Sequence, residues 1–299
     1  MVHASTTAKK VFPRWGWIGL LLIAVAWPYN WFGPEMRTNL AFFPLWLGYI
    51  LTMDALGYRQ KGHSLLSRSP RRFVFLFLLS APVWWVFEVF NLRLHNWVYL
   101  GRERVTDLQY AVLGTLDFST VIPAVFTTAE WMAGHRWIQR FRPGPRLAPG
   151  RATPWLFLVL GLLGIYALYA FPIFGFPLVW VAPYFLVEAL NLWLGNRTLL
   201  DWTSRRDWRP LAALAFGTVF TGFFWEMWNY FAFPKWDYHI PFVEFWHVFE
   251  MPLLGYLGYI PFSFELFAIY HFVVGLLEMP RDRYVVEGLE AALRLGETR

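Results

Sequence analysis

The sequence predicts an all-α polytopic membrane bundle of about eight transmembrane helices, arranged as two parallel four-helix repeats with a kinked last span. Three observations carry this. Of the 299 residues 57% are hydrophobic and 15% charged, well below the ~25% charge of a soluble domain. The apolar residues gather in runs of the roughly 20 residues needed to cross a ~30 Å hydrocarbon layer. The two halves of the chain also repeat one another at a single offset.

The spans fall at 15–32, 39–57, 72–92, 108–132, 154–172, 177–195, 210–231 and 244–277. Lys9, Lys10 and Arg14 precede the first one. That pattern resembles a signal peptide, but it lacks a small-residue cleavage site, so 15–32 is read as a retained span. The last run is too long for one straight helix. Pro252, Gly255, Gly258 and Pro261 punctuate it, which predicts a kink or a short re-entrant piece. The segment 1–14, the loops 58–72, 133–153 and 196–209, and the tail are basic, whereas the intervening loops are less so. Lys and Arg accumulate on the cytoplasmic side, so both termini are expected inside a cell inner (plasma) membrane. The net charge of +6 is thus a topology signal, and no nucleic-acid partner is expected. The tail 279–299 reads as an amphipathic cytoplasmic helix at a surface.

The repeat is read from matched residues. Glu88 and Asn91 correspond to Glu226 and Asn229, and Ile122-Pro123 to Ile260-Pro261, all at one common offset. Trp97 and Tyr99 correspond to Trp236 and Tyr238, where the second half has gained one position. The halves are 15–140 and 154–278, joined by the basic Pro/Gly linker 141–153. An even number of spans per half gives both the same orientation, as in parallel transporter repeats.

Carboxylates at bilayer depth are costly, so the acids within the spans are the first candidates for chemistry. Glu88-x-x-Asn91 and Glu226-x-x-Asn229 each place a carboxylate and an amide on one helix face. They read either as a buried acid oriented by its amide or as a bond between helices. Beyond that motif the second half alone carries Asp237, His239, Glu244, His247, Glu250 and Glu265, while the first carries Asp117 and Glu130 in exchange. Read as helix, Glu244, His247 and Glu250 share a face. They could handle protons, lie wet at the interface, or hold a metal, because Glu244-x-x-His247 is half of a carboxylate di-iron motif. Its second half is missing, and no cofactor is expected. With no cysteine, thiolate sites and disulfides are excluded, and no phosphate-binding loop or nucleophile elbow occurs. Trp97, Tyr99, Trp225, Trp228, Trp236 and Tyr238 read as an interfacial aromatic belt or as walls that shield a cation. The sequon Asn196-Arg197-Thr198 falls in a basic loop and is discounted.

Trp225-Glu226 followed by Trp236, then Gly255 or Gly258, then Pro261 with Glu265, echoed by Glu88, Trp97 and Pro123, resembles the small integral-membrane lycopene cyclases built of two similar halves. The resemblance implies cofactor-light, proton-initiated cyclisation of an isoprenoid olefin, with Glu226 or Glu265 as the acid, and the function expected is cyclisation or isomerisation of an isoprenoid or carotenoid-like lipid. It makes a membrane lipid or isoprenoid the expected partner, with a homo-oligomer possible. A proton-coupled transporter and a non-catalytic subunit of a membrane complex are the alternative readings of the same buried acids.

Overall fold

A computed structural model describes residues 11–279 and 281–297. It is mostly helical, with two very small sheets. The first half comprises α1 (Arg14–Phe32), α2 (Thr38–Lys61), a short α3 (Leu65–Arg68), α4 (Pro70–Leu94), strand β1 (Trp97–Leu100), α5 (Asp107–Phe118) and α6 (Val121–Met132). The second comprises α7 (Thr153–Ala170), α8 (Pro172–Gly175), α9 (Ala182–Leu194), α10 (Leu200–Thr203), α11 (Arg209–Tyr230), strands β2 (Lys235–Tyr238), β3 (His247–Val248) and β4 (Met251–Pro252), and α12 (Tyr259–Leu276). The tail forms α13 (Tyr284–Glu297). Among the described residues six helices are long and apolar enough to span a membrane, or seven if the bent pair 172–180 and 182–194 counts as one span. The α1 helix occupies the first expected span but is not among these, its Pro28 and Asn30 diluting its apolar run.

Small residues let the helices approach, as is usual where lipid is the solvent. A Cβ at Gly19 of α1 would lie 2.7 Å from the Gly48 carbonyl of α2. Gly161 and Gly164 of α7 pack likewise on Leu186 and Ala182 of α9. At the centre Gly217 of α11 lies against the backbone of Ala129 in α6, and the Tyr49 hydroxyl joins Thr128 (2.9 Å) and Thr221 (3.3 Å).

The ends of the bundle differ. At one, the basic loops and the tail interlock. Glu130 accepts from Arg68 Nη1 (2.9 Å) and Nη2 (2.6 Å) and pairs with Lys61 Nζ at 2.5 Å. Arg72 pairs with Asp282, and Arg209 joins Asp207, Gln139 and Glu297. Burial favours the neutral form of Asp207, but the hydrogen bonds and charge of Arg209 outweigh it and hold its carboxyl below the usual range. The tail is amphipathic as expected, yet it is docked rather than spread on a surface, with Tyr284, Val286, Leu289 and Leu293 buried. At the opposite end β1 pairs antiparallel with β2, Trp97 opposite Tyr238 and Tyr99 opposite Trp236.

The segment expected as the start of a kinked last span is corrected. Residues 239–252 form turns and the β3–β4 ribbon, 253–258 a 3₁₀ turn, and helix begins only at Tyr259. Pro241, Pro252 and the two glycines stop the helix before its expected start. Glu244, His247 and Glu250 therefore share no helix face.

Candidate functional site

The matching motifs of the two halves fold into the same local device. Asn229 closes a ring with β2: its Nδ2 donates to the Trp236 carbonyl (2.7 Å) and its Oδ1 accepts from the Trp236 amide (3.0 Å). Asn91 does the same to Trp97, at 2.8 and 3.3 Å. Both asparagines thus fasten a strand to the end of a helix. The expected catalytic role for Asn91 and Asn229 gives way to this one, because their amides are spent on backbone. The strands return an indole and a phenol to the glutamates one helical turn back. Glu226 accepts from the Tyr238 hydroxyl (2.9 Å) and Trp236 Nε1 (3.4 Å), and Glu88 from Tyr99 (2.6 Å) and Trp97 (3.1 Å). Burial, and then the neighbouring carboxylate, pushes the Tyr238 and Tyr99 phenols well above their ordinary range, so both keep the hydrogen they donate.

The third donor differs. On Glu88 it is Trp84 Nε1 (2.9 Å), one turn earlier on the same helix. On Glu226 it is the Tyr259 hydroxyl (2.6 Å), from the start of α12. Glu226 is fully buried, Glu88 half-buried.

Between the halves, under the β1–β2 ribbon, lies a cavity of about 470 Å³, within the range of small-molecule sites. Its walls are mainly apolar and rich in rings, Phe42, Trp84, Trp97, Trp180, Trp225, Trp236, Tyr238, Tyr259 and Phe262 among them, and they also include Arg102 and Lys235. Many of its lining residues are counterparts in the two halves, such as Phe42 and Trp180, Leu113 and Met251, Trp97 and Trp236, Tyr99 and Tyr238. Two carboxyl-bearing residues line it, Glu226 and Asp117. The second-half counterpart of Asp117 is Gly255, which also lines it. Glu88 is not part of the lining, though its three donors are.

Of the residues singled out from the sequence, Glu226, Asp117, Trp97, Tyr99, Trp225, Trp236 and Tyr238 meet here, with Gly255, Gly258 and Pro261. The other candidate site residues do not. Trp228 is buried among Trp27, Trp46 and Phe224 and serves the core. Glu265 is fully buried in α12, does not line the cavity, and has no hydrogen-bond partner on either oxygen among the described residues. Glu250 pairs with Lys235, His247 is exposed on β3, and Glu244 Oε1 accepts from the Ile240 amide (2.7 Å). Among the described residues no group of three or more His, Asp or Glu is placed to hold a metal ion, so Glu244, His247 and Glu250 do not form the set considered from the sequence. Tyr259, Trp180 and Phe262 escaped the sequence reading. Tyr259 had one available signal: it is the counterpart of Val121, so an apolar residue in one half is a phenol in the other.

Fold and site together define a polytopic helical membrane protein with a ring-walled cavity that holds a buried carboxyl at the seam of its halves. Beyond that class, neither family models nor curated proteins nor solved structures give a match to the chain.

Proposed function

We propose that the protein is an integral-membrane enzyme that takes an isoprenoid or carotenoid-like lipid into this cavity and isomerises or cyclises it through proton transfer. The observation that carries the reading is the Glu226 carboxyl, buried beside a mostly apolar cavity whose lining includes thirteen aromatic side chains. An olefin offers no hydrogen-bonding group and needs shape, a proton and shelter for a cation. Indole and phenol faces attract cations, and a carboxylate placed beforehand stabilises charge as it develops. Glu226 is the proton-handling group, and Trp97, Trp225 and Trp236 shelter the cation. Asp117 replaces Glu265 and Glu88 as the second carboxyl in reach. The ring walls favour a lipid occupant over a polar ion path. The repeat reading is part of the proposal: the paired lining residues suit two parallel halves that enclose one site, with the basic end cytoplasmic.

The test is expression in a lycopene-producing host, with polyenes separated by chromatography and read by absorbance. The wild type should shift the profile, and Glu226→Gln should abolish the shift while the protein remains folded in the membrane. An unchanged wild-type profile would remove the carotenoid substrate, and a fully active Glu226→Gln would remove the proposed acid.

A further inference from the structure

The duplicated device around Glu88 and Glu226 differs by a reciprocal exchange. Position 84 is Trp and its counterpart in the second half, position 222, is Gly; position 121 is Val and its counterpart, position 259, is Tyr. The structure shows that the two differences are one. A Cβ built on Gly222 would collide with the Tyr259 ring, so the phenol occupies the space vacated at position 222. In the first half Trp84 keeps its side chain, donates to Glu88 and packs edge-on against Phe262 with centroids 5.9 Å apart. Val121 offers nothing to Glu88.

The chemistry of the two third donors is unequal. An indole N–H only donates, whereas a phenol both donates and accepts. Tyr259 also lines the cavity, and its hydroxyl donates to Glu226, so one residue borders both. We propose that this exchange has split the duplicated motif into a structural copy at Glu88 and a reactive copy at Glu226, with Tyr259 relaying the proton between Glu226 and the substrate and Gly222 admitting it. The relay rests on the function proposed above; the split of the two copies does not.

The step balances. With Glu226 in its acid form the hydrogen bond to Tyr259 reverses and the hydroxyl turns to the substrate: the acid gives its hydrogen to the Tyr259 oxygen as the Tyr259 hydrogen passes to one carbon of a substrate double bond. The π pair becomes the new C–H bond, the other carbon becomes a cation, and Glu226 becomes a carboxylate. After ring closure or bond migration, a hydrogen beside the cationic carbon leaves to the Tyr259 oxygen, the phenol's own hydrogen returns to Glu226, and the C–H pair forms the new double bond. Tyr259 stays neutral before and after, and no proton is consumed.

Three measurements test this. In the lycopene-producing host, Tyr259→Phe should lower conversion by roughly 100-fold or more, the usual worth of a positioned acid, while quenching of the cavity tryptophans by an added polyene shows its affinity within about threefold of wild type. Gly222→Ala should lower conversion similarly, and combining it with Tyr259→Phe should lower it no further, since the two act as one unit. Conversion by Tyr259→Phe above about a tenth of wild type, or a fully additive double variant, overturns the relay. A third readout needs no turnover. A hydrophobic carbodiimide, with the modified residue located by mass spectrometry, should label Glu226 in preference to Glu88, and Gly222→Ala should diminish that preference. Equal labelling of the two glutamates in the wild type overturns the split even if polyenes are converted. Selective labelling without conversion upholds the split and rejects the proposed substrate instead.

Discussion

Removing the carboxylate of Glu130 should cost the fold more than any single loss in the cavity. Its side chain is 3% exposed and faces two cations, Lys61 at 2% and Arg68 at 10%. Three charge-assisted contacts converge on it, the longest 2.9 Å. A single neutral hydrogen bond contributes about 1 kcal/mol net, but here the larger effect is what remains. Glu130→Ala leaves two buried positive charges side by side, and breaking a buried pair from one side costs about 3–5 kcal/mol. The carbonyl of Tyr284, which accepts from Arg68 Nη2 at 3.0 Å, loses its ordered partner as well, so the α13 tail should loosen. The assay is thermal unfolding in detergent, with limited proteolysis of the tail alongside. A companion variant, Lys61→Met with Glu130→Leu, keeps apolar volume and leaves only Arg68, which can turn outward; it should recover much of the loss. If Glu130→Ala lowers stability by less than about 1 kcal/mol, the cluster is hydrated and the reasoning fails.

Three further outcomes are expected. Asn229→Ala leaves the Trp236 amide and carbonyl without their partners and should cost about 2–6 kcal/mol at 1–3 per unsatisfied group; unchanged unfolding would mean that water serves the strand equally well. Gly288→Ala drives a methyl into the Glu130 carboxylate and Arg68, at a cost of about 1–3 kcal/mol, and should make the chain after α12 sensitive to protease before the bundle unfolds. Asp207 has a depressed carboxyl, so its contribution is present above the ordinary carboxylate range and is lost as pH falls below about 4. Asp207→Asn should therefore flatten the acid limb of the stability profile by under about 1 kcal/mol, since the pair is partly exposed.

The sequence made the helices legible because long apolar runs leave the backbone few alternatives in lipid. It misplaced the start of the last one because hydropathy cannot tell an apolar helix from an apolar ribbon that folds back at the bundle end. Phe242, Phe245 and Trp246 are as hydrophobic as any spanning residues, yet all three are exposed in turns. That single error put Glu244, His247 and Glu250 on an imagined helix face. Glu226 with Trp236 and Tyr238 was legible because so short a return of the chain is local. Tyr259 on Glu226, far along the chain and on another helix, and Asp117 in the same cavity depend on how α5 and α12 pack, which the sequence pattern does not encode. Glu265 marks the opposite failure: a costly buried acid was expected to be reactive, and it lies outside the cavity.

The matched residues that made the motif visible concealed which of the two, read as copies, to favour. A seam between two similar halves tends to give each lining residue a partner of its own kind, as Trp97 has Trp236 and Tyr99 has Tyr238. A site with one set of reactive groups must break that pairing. Several breaks occur, Thr38 against Phe176 and Asn39 against Pro177 included, but three gather at Glu226 and its cavity: Asp117 against Gly255 and Val121 against Tyr259 line the cavity, and Trp84, also in its wall, stands against Gly222 behind Tyr259. Buried polar groups without such a purpose are a net cost in an apolar interior. The departures from symmetry are therefore a sharper guide to chemistry here than the symmetric glutamates themselves, and they support the proposal that Glu88 belongs to the scaffold and Glu226 to the site.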